Sequence, residues 1–269
     1  MKELTVGIGG FGVIGEAVAR RLDVGIPGLR LSAVSARRTE RAGNRMSDMS
    51  VPVPVVSLSE LSAYAEVVVE CAPASAFMDV AGPAVDGGKI FIPLSCGMLL
   101  RHEGLPDRAA KSGARIIVPT GALLGLDAVR AASEGDLRSV RMVTRKPPNG
   151  LKGAPHLAKN DINVDDLKEP LLVFEGTARD AAAGFPANVN VAAALSLAGL
   201  GADKTMIEIW ADPTVTRNTH NIKVDSDATR FDMTIEGVPS LENPATGMLT
   251  PLSVIATLRG LVSPMRVGT

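Results

Sequence analysis

The residues best suited to binding an anion come early in the chain, where Gly10-Phe11-Gly12-Val13-Ile14-Gly15 has the spacing G-x-G-x-x-G. In this pattern Gly10 permits a tight turn, Gly12 lets the backbone approach a pyrophosphate, and Gly15 lets a helix pack closely on a strand. The preceding residues 4–8 are typical of a buried strand, and residues 16–22 are predicted to form a helix. This context predicts a dinucleotide-binding turn. A glycine turn selected only for packing is the alternative.

The residues that follow the second predicted strand, at 29–35, indicate which dinucleotide binds. NAD-binding proteins use an acidic side chain here to accept a hydrogen bond from the adenosine 2′-hydroxyl. This chain has Ser35-Ala36-Arg37-Arg38 instead, so a hydroxyl and two guanidinium groups are available for a 2′-phosphate. We therefore predict NADP as the preferred cofactor, with NAD possible. The alternative for Arg37 and Arg38 is a solvated start of a helix.

Three histidines are the candidates for proton transfer near neutral pH, because imidazole titrates in that range. His102 and His156 lie in polar segments and are expected at the surface. His220 lies in a polar cluster, residues 216–221, that leads into a strand predicted for residues 222–224. We interpret His220 as the catalytic residue and Asn218 as the residue that orients the substrate or the imidazole. A histidine that only satisfies the sheet edge is the alternative.

The two cysteines, Cys71 and Cys96, each follow an apolar run. No cationic neighbour in the sequence would stabilise a thiolate, so both are interpreted as packing residues that line the cofactor cleft. Ala72, which follows Cys71, is predicted to contact the cofactor. The cysteines and scattered histidines lack the spacing of a metal site, so we predict no metal. Two cysteines also exclude a disulfide framework and suit a reducing cytoplasm.

The composition favours a small molecule as the partner. Lys and Arg number 28 against 29 for Asp and Glu, and aromatic residues make up only 3%. A near-neutral chain poor in aromatic residues is not expected to bind nucleic acid. No stretch approaches about 18 uninterrupted apolar residues, and no signal peptide is visible, so no membrane span is predicted.

The order of the predicted elements indicates two α/β domains within 269 residues. Residues 1–125 are predicted to form a Rossmann domain with a doubly wound parallel sheet, because short apolar runs alternate with helices. Its strands are predicted at residues 4–8, 29–35, 67–71, 89–93 and 115–118. Residues 126–245 are predicted to form a second, α+β domain with a mixed or antiparallel sheet. Its strands are predicted at residues 138–144, 205–211, 222–224 and 230–235.

Three further segments complete this prediction. Residues 187–200 are predicted to form a helix of small residues, and residues 246–261 a final helix that begins after Asn243-Pro244. Residues 146–169 are rich in Pro, Gly, Asn, Asp and Lys and lack periodicity. They are predicted to form a long ordered loop or lid.

Several sequence blocks resemble the L-aspartate dehydrogenases of proteobacteria along nearly the whole chain. The blocks are residues 6–15, 120–127, 144–148, 174–178, 185–193, 218–220 and 242–244. The resemblance implies oxidative deamination of L-aspartate through iminosuccinate to oxaloacetate and ammonia, or the reverse, with a catalytic histidine at His220. It also implies dinucleotide contacts at Ala122 and Asn190, a homodimer, and packing of the final helix, within residues 246–269, on the first domain.

The chain departs from the family pattern in two places. Ala36 stands where the family often has an acidic residue, which favours NADP. Residues 225–230 replace a glycine-rich turn just beyond His220, in a place that bears on the substrate. We predict that Arg145 and Lys146 bind the two carboxylates of a dicarboxylic amino or imino acid, with a salt-bridged loop start as the alternative.

Two other functions remain open from the sequence. One is an NADP-dependent reductase of another small amino, imino or keto acid, because fold and cofactor do not determine the substrate. The other is a protein that senses NADP by binding it without turnover.

Overall fold

The structure, a computed structural model, describes residues 3–186, 189–240, 242 and 247–268. The chain divides into two compact units. The first unit comprises Met1–Pro119 and Thr250–Val267, and the second comprises Thr120–Leu249 and Gly268–Thr269. The chain thus leaves the first unit after Pro119 and returns to it at Thr250.

A six-stranded parallel sheet forms the centre of the first unit within the described residues. Its strands are β1 (Leu4–Gly9), β2 (Leu29–Ser35), β3 (Val55–Val56), β4 (Val67–Glu70), β5 (Ile90–Pro93) and β6 (Arg115–Ile116). Their order is β3-β2-β1-β4-β5-β6, and all neighbours are parallel. All residues of β4 are buried, as expected for a strand covered on both faces. The predicted Rossmann sheet is confirmed.

Helices accompany these strands. They are α1 (Val13–Val24), α2 (Thr39–Arg45), α3 (Leu61–Tyr64), α4 (Phe77–Asp86) and α5 (Leu105–Ser112). The helix predicted at residues 16–22 corresponds to α1, which begins directly after the glycine turn. Val18, Ala19 and Leu22 of α1 are buried against the sheet. The burial of this apolar face of α1 against the sheet holds the beginning of the helix beside the end of β1.

The second unit is built on a mixed sheet of five strands within the described residues. These are β7 (Leu137–Lys146), β8 (Leu171–Thr177), β9 (Thr205–Ala211), β10 (Asn218–Ser226) and β11 (Arg230–Gly237). Their order is β11-β10-β7-β9-β8, with β7 and β9 parallel and the other neighbours antiparallel. The prediction of a mixed sheet is confirmed. Strand β8 was not predicted from the sequence, and β10 is longer than the strand predicted at residues 222–224.

The helices of the second unit are α6 (Leu126–Ala132), α7 (Pro155–Lys159), α8 (Ala178–Gly184) and α9 (Asn190–Ala198). Apart from the short α7 and a single 3₁₀ turn at Pro148–Gly150, residues 147–169 are irregular, close to the predicted loop. Leu151, Leu157 and Val164 are buried and anchor this segment.

The final helix, α10 (Leu249–Val262), follows the second unit in the chain but packs in the first. Val254 and Leu258 are fully buried in the apolar cluster that contains Val6 and Ile8 of β1. Asn243, Pro244 and Thr246, the predicted start of this helix, lie outside the described residues. None of the helices within the described residues combines the length and apolar character that a bilayer span requires.

Candidate active site

The three glycines of the turn between β1 and α1 are required for different reasons. Gly10 has a φ of +111°, and a Cβ there would lie 2.5 Å from the carbonyl O of Cys71. A Cβ at Gly15 would overlap the carbonyl O of Gly10. The protein's own packing therefore requires both. Gly12 differs, because a Cβ there would meet nothing within 4 Å. The space beside Gly12 is available to a ligand.

The first turn of α1 is suited to an anion. Gly12 is the N-cap residue and supplies no side-chain hydrogen bond to the turn. The first N–H groups of a helix have no intrahelical partner, and the helix dipole favours negative charge at this end. Val13 and Ile14 form the start of α1, and Phe11 packs on the core beneath the turn. These residues fit the pyrophosphate of a dinucleotide.

The end of β2 lies next to this turn, since the Gly10 N–H donates to the carbonyl O of Ser35 at 3.0 Å. Ser35 is buried and Ala36 is half-buried, whereas Arg37 and Arg38 are exposed. Neither arginine forms an ion pair within the part of the chain that the structure describes. Two cationic groups are therefore available at the position where the adenosine ribose lies in Rossmann domains.

Glu70, at the end of β4, is a buried acid that the sequence analysis missed. Its carboxylate accepts hydrogen bonds from the Ser95 N–H at 2.9 Å, the Ser95 hydroxyl at 3.1 Å and the Leu94 N–H at 3.2 Å. Burial raises the pKa of Glu70. This carboxylate connects the end of β4 to the segment after β5. The sequence feature that could have revealed this buried acid is a glutamate at the end of an apolar run.

Cys71 and Ala72 follow Glu70 at the same sheet edge, and Ala72 is buried. Burial, followed by the negative charge of Glu70, raises the pKa of Cys71 well above its ordinary value and that of Cys96 to about 12. Both side chains are therefore thiols at neutral pH rather than nucleophilic thiolates. This agrees with their interpretation as packing residues.

His220 lies inside β10, directly opposite Thr144 of β7 and Ile235 of β11. Only 4% of His220 is exposed. Its Nδ1 is 3.0 Å from Oγ1 of the buried Thr144. The imidazole is therefore held on the buried face of the sheet.

Lys146 lies on the same face of β7 as Thr144, because side chains two residues apart on a strand point the same way. Only 7% of Lys146 is exposed, and burial lowers the pKa of its ammonium group to about 8. Burial, and next the positive charge of Lys146, lower the pKa of His220 to about 4. At neutral pH the site therefore combines an uncharged imidazole with a mostly protonated ammonium group.

A cavity opens between this face of the sheet and helices α8 and α9. Its lining residues are Met142, Thr144, Lys146, Ala181, Phe185, Val189, Ala192, Ile207 and Ile209. Thr144 and Lys146 are the polar side chains in that lining. The lining of this cavity is thus apolar except where a hydroxyl and an ammonium group enter it.

The structure separates the basic pair that the sequence analysis placed together. Arg145 points to the opposite face of the sheet from Lys146, because adjacent residues of a strand alternate. Its guanidinium donates to Asp212 at 3.0 Å and lies 4.8 Å from the centre of the Trp210 ring. The salt-bridged alternative therefore describes Arg145. Asn218, the first residue of β10, is on the same face as His220.

The other two residues predicted to contact the cofactor lie in a loop and at the beginning of a helix in the second unit. Ala122 is half-buried in the loop between Gly121 and Gly125, whose φ angles are +64° and +70°. Asn190 is exposed at the beginning of α9.

The remaining histidines differ from the expectation of surface positions, because both are half-buried against aromatic rings. The His102 ring stacks on Phe77 with a centroid distance of 5.9 Å. The His156 ring centroid is 5.2 Å from those of Phe174 and Phe185. Both occupy packing positions.

The turn at residues 225–230 is at the far end of β10 from its first residues. Six residues of extended strand separate Ser226 from His220, which is about 20 Å at 3.3 Å per residue. This departure from the family pattern, although just beyond His220 in sequence, therefore lies well away from His220 along the strand. Residues that are close in sequence lie far apart in space when the chain between them is an extended strand.

Comparison with known protein families gives two matches. The C-terminal domain model of aspartate dehydrogenase matches residues 127–261, and the NAD-binding domain model of homoserine dehydrogenase matches residues 10–119. L-aspartate dehydrogenase 3 of Bordetella bronchiseptica is 54% identical over 100% of this chain and 98% of the relative. This chain belongs to the L-aspartate dehydrogenase family. It is an oxidoreductase with a domain for a nicotinamide dinucleotide.

Two further comparisons agree. L-aspartate dehydrogenase of Bradyrhizobium diazoefficiens is also 54% identical, over 99% of this chain and 95% of the relative. The crystal structure of aspartate dehydrogenase from Thermotoga maritima has a TM-score of 0.76 at 28% identity, covering 99% of this chain and 100% of that one. The crystal structure of GenD2 from gentamicin A biosynthesis in complex with NAD has a TM-score of 0.54 at 16% identity, which indicates a shared fold alone.

Proposed function

We propose that this chain oxidises L-aspartate with a nicotinamide dinucleotide, yielding iminosuccinate and then oxaloacetate and ammonia, or catalyses the reverse amination. The observation that carries the proposal is the buried imidazole of His220 beside the buried ammonium of Lys146. Membership of the L-aspartate dehydrogenase family supports the same substrate. The sensor without turnover is set aside, because the family consists of enzymes.

The first unit would hold the cofactor. The backbone of Gly10, Phe11 and Gly12, with the N-terminal turn of α1, would bind the pyrophosphate. Further contacts are proposed for Ala72, Ala122 and Asn190. When bound, the nicotinamide supplies the acceptor for the hydride of the substrate's α-carbon.

His220 would act on the water that hydrolyses the imine. Its low pKa keeps the imidazole neutral at physiological pH, so one ring nitrogen can accept a proton from that water. The same proton can then pass to the departing amine, which leaves as ammonia. Asn218, on the same strand face, would orient the substrate or the imidazole.

Lys146 would bind a substrate carboxylate. An ammonium group with a pKa of about 8 is mostly charged at neutral pH, and its charge attracts a carboxylate. Arg145 is less suited to this role, because it faces the other side of the sheet and pairs with Asp212. We therefore assign the carboxylate contact to Lys146.

The test is the turnover of His220→Gln with L-aspartate, followed by nicotinamide absorbance. We expect kcat to fall roughly 10²- to 10⁴-fold, as for loss of a general acid–base group, with dinucleotide affinity unchanged. His102→Gln exchanges the same side chain in the first unit and should keep turnover. Turnover of His220→Gln within a few-fold of wild type would disprove the assigned role. Higher kcat/KM for L-alanine or L-glutamate than for L-aspartate would favour the alternative of another amino acid.

We also propose that NADP is preferred over NAD, a homodimer and a cytoplasmic location. Arg37 and Arg38 support the first, because they are exposed where the 2′-phosphate would lie. In the second unit, the face of the sheet opposite Lys146 carries the exposed Leu172 and the half-buried Trp210. A second copy of the chain could cover this surface, which supports the homodimer. The location rests on the cysteine content alone.

A further inference from the structure

Thr144 is the described residue that hydrogen-bonds the imidazole of His220. The two residues are directly opposite each other on antiparallel strands, and both are buried. The Oγ1–Nδ1 distance is 3.0 Å. Cross-strand pairing fixes the positions of both Cα atoms, so this contact depends on the sheet rather than on a loop.

The other ring nitrogen, Nε2, forms no hydrogen bond to a described residue. No buried side-chain nitrogen or oxygen in the described part of the chain is left without a partner. Nε2 is therefore not completely buried, although only 4% of the residue is exposed. The ring has one nitrogen held by the sheet and one available to a water or a substrate.

A threonine hydroxyl can accept or donate, so it can pair with Nδ1 in either neutral tautomer. If the hydroxyl donates, Nε2 carries the proton and cannot act as a base. If Nδ1–H donates to Oγ1, Nε2 has a free lone pair. The same bond also persists after Nε2 takes up a proton, because Nδ1–H is present in the imidazolium.

We propose that Thr144 is a positioning residue that accepts a hydrogen bond from Nδ1–H of His220 and so keeps Nε2 as the proton-accepting atom. The inference rests on the proposed function, in which His220 accepts a proton from water. A buried partner of one ring nitrogen commonly sets the tautomer of a catalytic histidine. Here an uncharged hydroxyl has this role instead of a carboxylate.

The surroundings of the ring are mainly uncharged. The strand on one side presents Ile235, and the strand on the other presents Thr144 with Lys146 two residues further on. Lys146 is the charged group that acts on the ring. Its positive charge disfavours the imidazolium, and the Thr144 oxygen stabilises that species by accepting a hydrogen bond.

The direct test is ¹⁵N NMR of the imidazole at pH 7.5, with the His220 resonances identified by their absence in His220→Gln. Wild type is expected to carry its proton on Nδ1. Thr144→Val retains the shape but removes the hydroxyl, so the ring is expected to shift towards the Nε2–H tautomer. A wild-type ring with its proton on Nε2 would overturn the proposal, whether or not the variant folds.

Kinetics supply the second readout. Thr144→Val is expected to lower kcat for L-aspartate roughly 10- to 100-fold, with KM within about threefold, as for loss of an orienting partner. Thr144→Ser keeps a hydroxyl and should remain within about threefold of wild type in kcat. Thr219→Val removes a hydroxyl from the opposite face of β10 and is the matched control.

The outcomes separate the two proposals. If His220→Gln is inactive but Thr144→Val has wild-type kcat and an unchanged tautomer, the role of Thr144 is wrong and the proposed function stands. If His220→Gln is active, the proposed function fails. If Thr144→Val loses activity and Thr144→Ser does not restore it, the loss does not come from the hydroxyl, and the positioning role is rejected.

Discussion

At the scale of single residues, the site depends on two basic side chains that share a buried face. Burial disfavours a charge on either one, and the positive charge of Lys146 further disfavours a second charge on His220. The lysine keeps most of its charge at neutral pH, whereas the histidine does not. One sheet face thus carries a cation and a neutral imidazole, which under the proposed function bind a carboxylate and transfer a proton.

The first residue-scale prediction concerns acid stability. The pKa of His220 is about 4 in the folded protein, against an ordinary value of 6.5, so between these values the unfolded chain binds more protons. The free energy of unfolding is therefore expected to fall as pH falls from 6.5 towards 4. The contribution of His220 to this loss approaches about 3 kcal/mol at the acid end. Urea unfolding of wild type and His220→Gln at pH 7.5 and 4.5 measures the difference.

In this comparison, His220→Gln should lose less stability on acidification than wild type by about 2 kcal/mol. Equal losses in wild type and His220→Gln would mean that the imidazole is not held neutral by the fold.

The second residue-scale prediction concerns cofactor choice. Arg37→Ala with Arg38→Ala removes two guanidinium groups that a 2′-phosphate would pair with. The ratio of kcat/KM with NADP to kcat/KM with NAD is expected to fall at least about tenfold, mainly through KM for NADP. Arg21→Ala removes an exposed charge near the other end of α1 and should leave the ratio unchanged. An unchanged ratio in the double variant would reject the proposed preference.

At the scale of elements, the glycines of the turn between β1 and α1 have different roles. Gly15 is required by the packing of the protein, whereas Gly12 leaves space for a ligand. Gly12→Ala adds a Cβ into open space and should change the free energy of unfolding by less than about 0.5 kcal/mol. We expect it to weaken dinucleotide binding at least about tenfold, because the methyl group enters the space of the pyrophosphate. Calorimetric titration with NADP and urea unfolding measure the two effects.

Gly15→Ala is the matched variant in the same turn. Its methyl group would overlap the Gly10 carbonyl O and lie 3.1 Å from the Ile8 side chain. Overpacking of this kind is expected to lower the free energy of unfolding by about 1–3 kcal/mol. A stable Gly15→Ala, or a Gly12→Ala with unchanged affinity, would contradict the division of roles between the glycines.

The strands that consist mainly of apolar residues could be predicted from the sequence. The strand at residues 29–35 and the strand at residues 205–211 agree with β2 and β9 at both ends. The strand predicted at residues 222–224 is in fact β10, Asn218–Ser226. Its first residues, Asn218 to Asn221, are all polar, so apolar alternation does not reveal them. His220 is therefore inside a strand rather than at its edge.

The polar end of β7 was missed for the same reason, and this explains why Arg145 and Lys146 were predicted to act together. The strand predicted at residues 138–144 left Arg145 and Lys146 at the start of a loop, whereas β7 continues to Lys146. Strand alternation then places them on opposite faces. The partners Thr144 and Asp212 depend on pairing between strands distant in sequence, which one sequence without its register does not reveal.

At the scale of the whole molecule, the first unit is completed by a helix that comes after the second unit in the chain. Leu258→Ala removes a side chain with 0% exposure from the core around β1. The free energy of unfolding is expected to fall by about 2–5 kcal/mol. Leu252→Ala truncates the same residue type on the same helix at 58% exposure, and should have an effect below about 0.5 kcal/mol. Urea unfolding measures both, and equal effects would show that α10 does not complete this core.

This chain order has a consequence for biosynthesis. A nascent chain on the ribosome has made β1 to β6 long before Val254 and Leu258, which fill the core beside β1, are translated. Domains that are continuous in sequence can fold as soon as they emerge. Here the nucleotide-binding unit must wait until the roughly 130 intervening residues have been added, so its final packing follows the synthesis of the second unit.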